Sequence, residues 1–558
     1  MRESGCTQRV SVGKMRTESL PFSSLPSQTR LFLDYLADPL SLKRFYPSAV
    51  ASHTDPANRT GEVLARYETD RARLCDALER MNSGLSAGQD ILTNIELLRK
   101  PDTVAVLTGQ QTGLFTGPLF SIYKAVSAIR MSECLRGRGI DAVPVFWMAT
   151  EDHDLEEVSD TFAIGNAGEL AEARIEAGPA DSEHPVGAVL LNDSVTKATA
   201  GIFSALPRTE FTDELRAQIE RSWRPGIGIG QAFGRFLTTL LGKYGLIVVD
   251  PMDVEMKRLA SPIYLKALKR SSDIVSSLVA RGGELAAAGY HAQVLVEDDY
   301  FPFFRHDDQG RRVALRRADG GVRQKGGKDK FTADDLLELA RSNPERLSPG
   351  VMLRPIVQDY LFPTICYFGG GAEIAYFAQN SEVYRVLERP VTPILHRQSF
   401  TFVEPKHTRT MEKYGLTLAE LFRGEEMVLP EVIDKFIDPA TARLFADVEE
   451  RMNTELNRLD QALSQMDVTL AANLATRRRK IIYHIGAMRR KYHLRRAETD
   501  DTINRRMKAA ITALLPNGGL QERTLNVISF LDRYGPNFID MVFDAVDLDD
   551  KGHRVVYL

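Results

Sequence analysis

With 558 residues the chain exceeds what one hydrophobic core organises, and two or three domains are expected. Apolar residues make up 43% and charged residues 26%, the balance of a globular protein, and a net charge of −4 argues against nucleic acid or an anionic membrane as the main partner. Four scattered cysteines (Cys6, Cys75, Cys134 and Cys366) form no CxxC pair, so neither a disulfide framework nor a zinc site is indicated, and a reducing cytoplasm fits.

Residues 1–15 are polar, lack the apolar core of a signal peptide and read as a disordered extension, with Met15 as an alternative start. No apolar run anywhere approaches ~18 residues, so no membrane span is expected. Residues 16–100 read as a helical layer, with Leu31, Phe32, Tyr35 and Leu36 on one apolar face and Leu64, Tyr67 and Leu74 to Leu78 on another. From 101 to 405 short apolar runs alternate with helical patterns, the signature of a Rossmann-like parallel α/β core. Val104, Val106 and Leu107 predict its first strand, the loop Thr108 to Gly117 follows, and Pro118 suits the first position of a helix. Val143 to Met148 predict the second strand, which stops at Glu151-Asp152-His153-Asp154.

In such a βαβ unit both loops emerge at the carboxyl edge of the sheet, where open α/β folds bind ligands. Free N–H groups around Thr108, Gly109, Gln110, Gln111 and Gly117 favour an anion, although the loop is neither a Walker A nor a GxGxxG sequence. The glycines could equally do no more than shape a tight connection. Three carboxylates around one imidazole repel one another and call for a cation, a basic partner or a catalytic use. Capping by Asp154 of the following helix is the plainer alternative for that residue. No second histidine or cysteine lies at ligand spacing, so no metal is assigned.

An insertion is expected near 164–224, after which the sheet resumes at Gly245 to Asp250. One helix is predicted from Asp253 to Ala288, then a strand from His291 to Val296. A hairpin-rich second insertion near 298–345 carries arginines that face either an anion or solvent. Arg354 opens a helix containing Gln358, and Ile365 to Phe368 form a strand before the loop Gly369 to Glu373. There Gly370 admits close backbone approach to a ligand, and Glu373 either binds an amine or complements the helix dipole. Pro393 to Leu395, extended by Ser399 to Glu404, reads as the last core strand. Residues 406–515 shift to long helices: Leu456, Leu459, Leu463, Met466 and Leu470 make one seam, and Ile481, Ile485, Met488 and Tyr492 another. An antiparallel hairpin turning near Asp467 and Thr469 is expected, and a coiled-coil surface of this kind commonly dimerises. Residues 516–558 should pack back on the core as a helical segment.

The stretches TGQQTGLFTGPLFSIYKA and PVFWMATEDHD resemble the bacillithiol-biosynthesis cysteine-adding enzymes, the BshC family. That family usually reads alanine at the position of Thr112 and tyrosine at that of Phe120. The similarity continues through RPIVQDYLFPT, GGGAEIAYFAQ and LQERTLN to RYGP, and so spans nearly the whole chain. It implies a core like that of class I synthetases and nucleotidyltransferases, and a ligase joining L-cysteine to glucosaminyl-malate (GlcN-malate) with ATP. No KMSKS-like loop is visible. On this reading His153 is the candidate base, oriented by Asp152 or Asp154 beside Glu151, while Lys124 or Arg354 neutralises anionic groups. The resemblance also implies an adenine-nucleotide pocket at Glu404, Pro405, Lys406, Arg506 and Leu525, where Pro405 and Lys406 depart from the Arg-His pair expected there. A homodimer through the coiled coil is implied as well. An adenylating enzyme acting on another acid, or a nucleotide-binding coiled-coil scaffold, stays open as an alternative.

Overall fold

The computed structural model describes residues 15–558 apart from 177, 179–182, 319, 328, 437, 438 and 500, and describes only the backbone in parts of 430–504. Two compact units divide the chain: Val403–Gly519 with 167–169 form one, and the rest, including Leu520–Leu558, forms the other.

The larger unit is built on a five-stranded sheet that runs Ile394–His396, Thr364–Gly369, Val104–Gln110, Ala142–Met148 and Ile247–Val249 from edge to edge. Every pair is parallel. Helices cover both faces of such a sheet, so its strands read as continuous apolar runs, and Val104 to Leu107 and Val143 to Phe146 are buried throughout. The chain winds from Val104–Gln110 outward to one side, then returns to place Thr364–Gly369 on the other. The strand order therefore reverses beside the first strand. A crevice opens there at the carboxyl ends, between Gln110 and Gly369.

Several elements differ from expectation. The first crossover helix spans Phe120–Arg136, so Pro118 lies before it and bridges to Asn526 instead. The helix expected over 253–288 breaks at Arg270 into Val254–Lys269 and Ser271–Ala287. No strand forms over 291–296: Val294 meets a side chain, donating its N–H to Gln379 Oε1 and accepting from Nε2. Ser399–Val403 is no extension of the core strand. It joins Arg16–Leu20 and His553–Tyr557 in a separate three-stranded sheet, so the layer expected to be helical opens with a strand. The second insertion folds as an antiparallel sheet ordered Lys330–Phe331, Gly321–Gln324, Arg312–Ala318, Tyr300–His306 and Leu347–Pro349.

In the helical unit, Pro439–Met466 and Val468–Thr499 run antiparallel, with Asp467 at the break. Arg478 donates to Asn457 Oδ1 at 2.7 Å and Asn453 Oδ1 at 3.0 Å, and the rings of Phe445 and Tyr492 lie 5.8 Å apart. The expected hairpin is thus present. Its seam is only partly covered within one chain: Leu456 is buried, while Leu459, Met466 and Met488 are exposed. Among the described residues no helix is long and apolar enough to cross a membrane.

Gly109 sits in the first strand where a Cβ would fall 2.6 Å from the Trp147 carbonyl oxygen of the neighbouring strand. Gly109→Ala should therefore cost about 1–3 kcal/mol by overpacking, read as a lowered midpoint in thermal or urea unfolding.

Candidate active site

The crevice is a cavity of about 510 Å³. At its floor the crossover helix brings Lys124 back under the strand it follows. The Lys124 ammonium is buried and all three of its donors are used: Gly109 O at 2.9 Å, Gln110 Oε1 at 2.8 Å and Glu373 Oε2 at 2.5 Å. Burial pulls this ammonium below its usual range, with Glu373 working against the shift. Glu373 stands in the first turn of the helix Gly371–Val386 and also accepts from Tyr367 Oη and the Gly370 N–H. One ion pair thus spans the switch point and joins the loops on its two sides.

These bonds fix the orientation of both glutamines. Gln110 turns its oxygen to Lys124, leaving its NH₂ as the donor to the cavity. Gln111 donates to Asp152 Oδ2 at 3.2 Å and Glu157 Oε2 at 2.6 Å, so its oxygen is the acceptor that remains. Burial would raise the Asp152 carboxyl, but Arg312, the His153 N–H and the Gln111 amide hold it below the usual carboxylate range. Glu151 is spoken for by the buried Lys257, which also donates to Leu347 O.

His153 Nδ1 lies 3.2 Å from Arg312 Nη1 and 3.7 Å from Asp152 Oδ1. A guanidinium can only donate, so in the neutral ring this contact takes the Nδ1 lone pair and leaves the proton on Nε2. Arg312 itself stacks over Phe304 at 3.7 Å, and burial pulls its charge down against Glu151 and Asp152. The cavity is also lined by Arg354, bonded to Tyr376, and by Arg397. Arg397 is only 6% exposed, and two of its nitrogens pair with Glu522 at 2.7 and 3.0 Å. Among the described residues its Nε has no hydrogen-bond partner, nor has Nε1 of Trp147 on the cavity wall.

The LQERTLN segment holds this assembly together. Gln521 bonds the N–H and carbonyl of Phe402, Glu522 holds Arg397, and Arg523 reaches the cavity. Asn526 Nδ2 points its two N–H donors into a ring of acceptors: the carbonyls of Leu114 (3.3 Å), Phe115 (3.0 Å) and Gly117 (2.7 Å) and Thr161 Oγ1 (3.0 Å). Phe115, Thr116 and Gly117 all have positive φ, unfavourable for the first two, and this side chain clamps the turn they form.

Of the residues singled out above, Gly109, Gln110, Gln111, Lys124, Glu151, Asp152, His153, Arg354, Gln358, Gly370 and Glu373 line the one cavity. Others do not reach it. Thr108 spends its hydroxyl on Phe368 O, and Gly117 spends its N–H on Leu114 O, so the turn offers no anion seat there. Asp154 is exposed and accepts from the Glu157 N–H, a local cap. Leu525 is fully buried, with its N–H bonded to Gln521 O and its carbonyl to the Leu119 N–H, and presents nothing to a ligand. Glu404, Pro405, Lys406 and Arg506 belong to the helical unit, where Glu404 pairs with Lys406 and Arg506 is exposed. Among the described residues no group of His, Cys, Asp and Glu is arranged to hold a metal ion.

A family model described as bacillithiol biosynthesis BshC, N-terminal Rossmann-like domain, matches residues 15–398, and one for the BshC C-terminal coiled-coil domain matches 400–558. The chain belongs to the BshC family. Relatives assigned as cysteine ligase BshC in Koribacter versatilis, Salinibacter ruber and Solibacter usitatus are 34%, 33% and 32% identical to it. These matches cover 97%, 96% and 96% of this chain and 100%, 97% and 98% of the relatives. As a BshC protein the chain is a ligase with a role in bacillithiol biosynthesis. Its α/β and coiled-coil make-up is that of the family.

Arg312, Arg397, Glu522 and Asn526 escaped the sequence reading of this BshC chain. Two signals were present: the arginine-bearing second insertion, in which Arg312 was not singled out, and LQERTLN, in which only Leu525 was given a role.

Two outcomes test this framework. Removing one partner of a buried ion pair is far costlier than removing both. Lys124→Met should destabilise by about 3–5 kcal/mol in denaturant unfolding, and adding Glu373→Leu should recover much of the loss. The second concerns His553, buried between Ser399 Oγ (2.7 Å) and Thr401 Oγ1 (2.8 Å) beside Glu522. Burial pushes its imidazole down to about 4 from 6.5, with Glu522 opposing. Between these values the unfolded chain binds a proton that the folded chain refuses. Its contribution is whole above pH 6.5 and falls away as pH drops towards 4, by up to ~3 kcal/mol. His553→Gln should flatten the decline of Tm across that window.

Proposed function

We propose that the chain joins the carboxylate of L-cysteine to the amine of GlcN-malate, forming bacillithiol. The observation that carries this reading is one cavity that offers two chemistries: Arg354, Arg397 and Arg523 line it, and so do Asp152, Gln111 and Glu157. A malyl dicarboxylate suits the arginines, with the unpartnered Arg397 Nε and the Gln110 NH₂ as further donors. The sugar amine, entering as the neutral base that can attack, suits Asp152 and the Gln111 oxygen. ATP, when bound, would activate the cysteine carboxylate for acyl transfer.

Asp152 is then the acceptor for the amine proton. A carboxylate held ionised is a weak base, but it suffices once the nitrogen has begun to bond to carbon, because its N–H groups acidify as that bond forms. His153, its Nδ1 lone pair held by Arg312, acts from Nε2 as a donor to the carbonyl oxygen that gains charge. This exchanges the base role first expected of His153 for that of a donor. The exposed Leu459, Met466 and Met488 along the hairpin support self-association, and the free Cys75, Cys134 and Cys366 support a reducing cytoplasm.

The test is product formation by the purified protein from cysteine, GlcN-malate and ATP, followed by mass spectrometry of thiol-trapped bacillithiol. Asp152→Asn should cut turnover by roughly 10²–10⁴-fold at unchanged Tm. Full turnover in that variant would remove Asp152 from the chemistry, and no product with wild type would remove the reading.

A further inference from the structure

One charged surface takes no part in that chemistry. In the sheet of the second insertion Tyr300 stands opposite Arg316, Arg316 opposite Arg323, and Arg323 opposite Lys330. Residues directly opposed in antiparallel strands share a face with Cβ atoms about 5 Å apart, and like charges placed so are destabilising. Three cations therefore lie side by side across three strands. Arg316 has a carboxylate, Asp299 at 3.1 Å, whereas Arg323 and Lys330 are exposed and have no ion-pair partner among the described residues. The register leaves no other choice of face, because Phe303, Leu315 and Val322 bury the reverse side.

The row begins at the candidate site. Tyr300 lines the cavity, and Arg312, which shares the face of Arg316 on the same strand, lines it as well. Cations that repel one another at the mouth of a cavity are tolerable where an anion is drawn across them.

We propose that this row binds the polyphosphate of a nucleoside triphosphate, whose reacting end enters the cavity past Tyr300 and Arg312. With strands about 4.8 Å apart, Arg316 to Lys330 covers about 10 Å, the reach of a triphosphate and too short for a nucleic-acid track. The net charge of −4 over the whole chain also disfavours an extended polyanion. The proposal rests on the ligase reading for the nucleotide's task, though not for the binding itself.

Isothermal titration of the full chain with inorganic tripolyphosphate and with ATP is the test, on wild type and on Arg323→Glu/Lys330→Glu, with Arg323→Ala/Lys330→Ala as the milder pair. Wild type should bind both ligands, more weakly as salt rises, and the charge reversal should weaken each by about tenfold or more at unchanged Tm. In turnover, KM for ATP should rise by a similar factor while KM for cysteine holds. Unchanged tripolyphosphate affinity in both variants overturns the proposal, as does binding of single-stranded RNA in its place. Tripolyphosphate binding in a protein that makes no bacillithiol would sink the ligase reading and keep the row. Turnover with an unaltered KM for ATP in the variants would do the reverse.

Discussion

Everything at the carboxyl edge of the sheet depends on one buried ammonium. Lys124 is buried and its three protons are met by protein, and the groups that meet them come from both sides of the strand-order reversal. Gly109 O and Gln110 Oε1 belong to the first strand, and Glu373 to the helix after the fourth. The pair is costly to bury, and it persists because every remaining lone pair and proton is answered locally: Tyr367 and the Gly370 N–H take up Glu373. With that pair in place, Gln110 can turn only its NH₂ to the cavity.

A similar economy governs the acidic wall. Gln111 sits between Asp152 and Glu157 and Lys257 neutralises Glu151, so few polar groups are left over to meet a substrate. Most of the charges on this wall are already engaged. Beside Arg354 and Arg523, the cavity keeps Asp152 ionised, two amide groups of fixed sense, one imidazole with its lone pair occupied, and donors on Arg397 and Trp147.

The sheet was legible because parallel strands buried on both faces read as unbroken apolar runs, which is how Val104 to Leu107 and Val143 to Met148 declare themselves. Residues at strand ends followed from that, since the two loops of a βαβ unit must share an edge. Where the sequence misled, a distant partner had won. The glycine turn was expected to offer N–H groups to an anion, but Asn526, 409 residues beyond Gly117, buttons the turn shut. HAQVLV carries a strand pattern, yet Gln379 supplies one residue's worth of pairing and no ladder grows. Arg312 and Arg397 looked like any arginine, because their partners Phe304 and Glu522 are set by tertiary packing. The tautomer of His153 could not be read from a row of letters at all.

The return of Leu520–Leu558 to the α/β unit after the helical unit has a bearing on biosynthesis. A ribosome that has made the first four hundred residues has made every strand of the parallel sheet, but not the side chains that close the turn and hold Arg397. Contacts spanning such lengths of chain form late. A polypeptide cut short before residue 520 would thus carry the crevice without its fastenings, and competence would arrive only once residues 520–558 have been made.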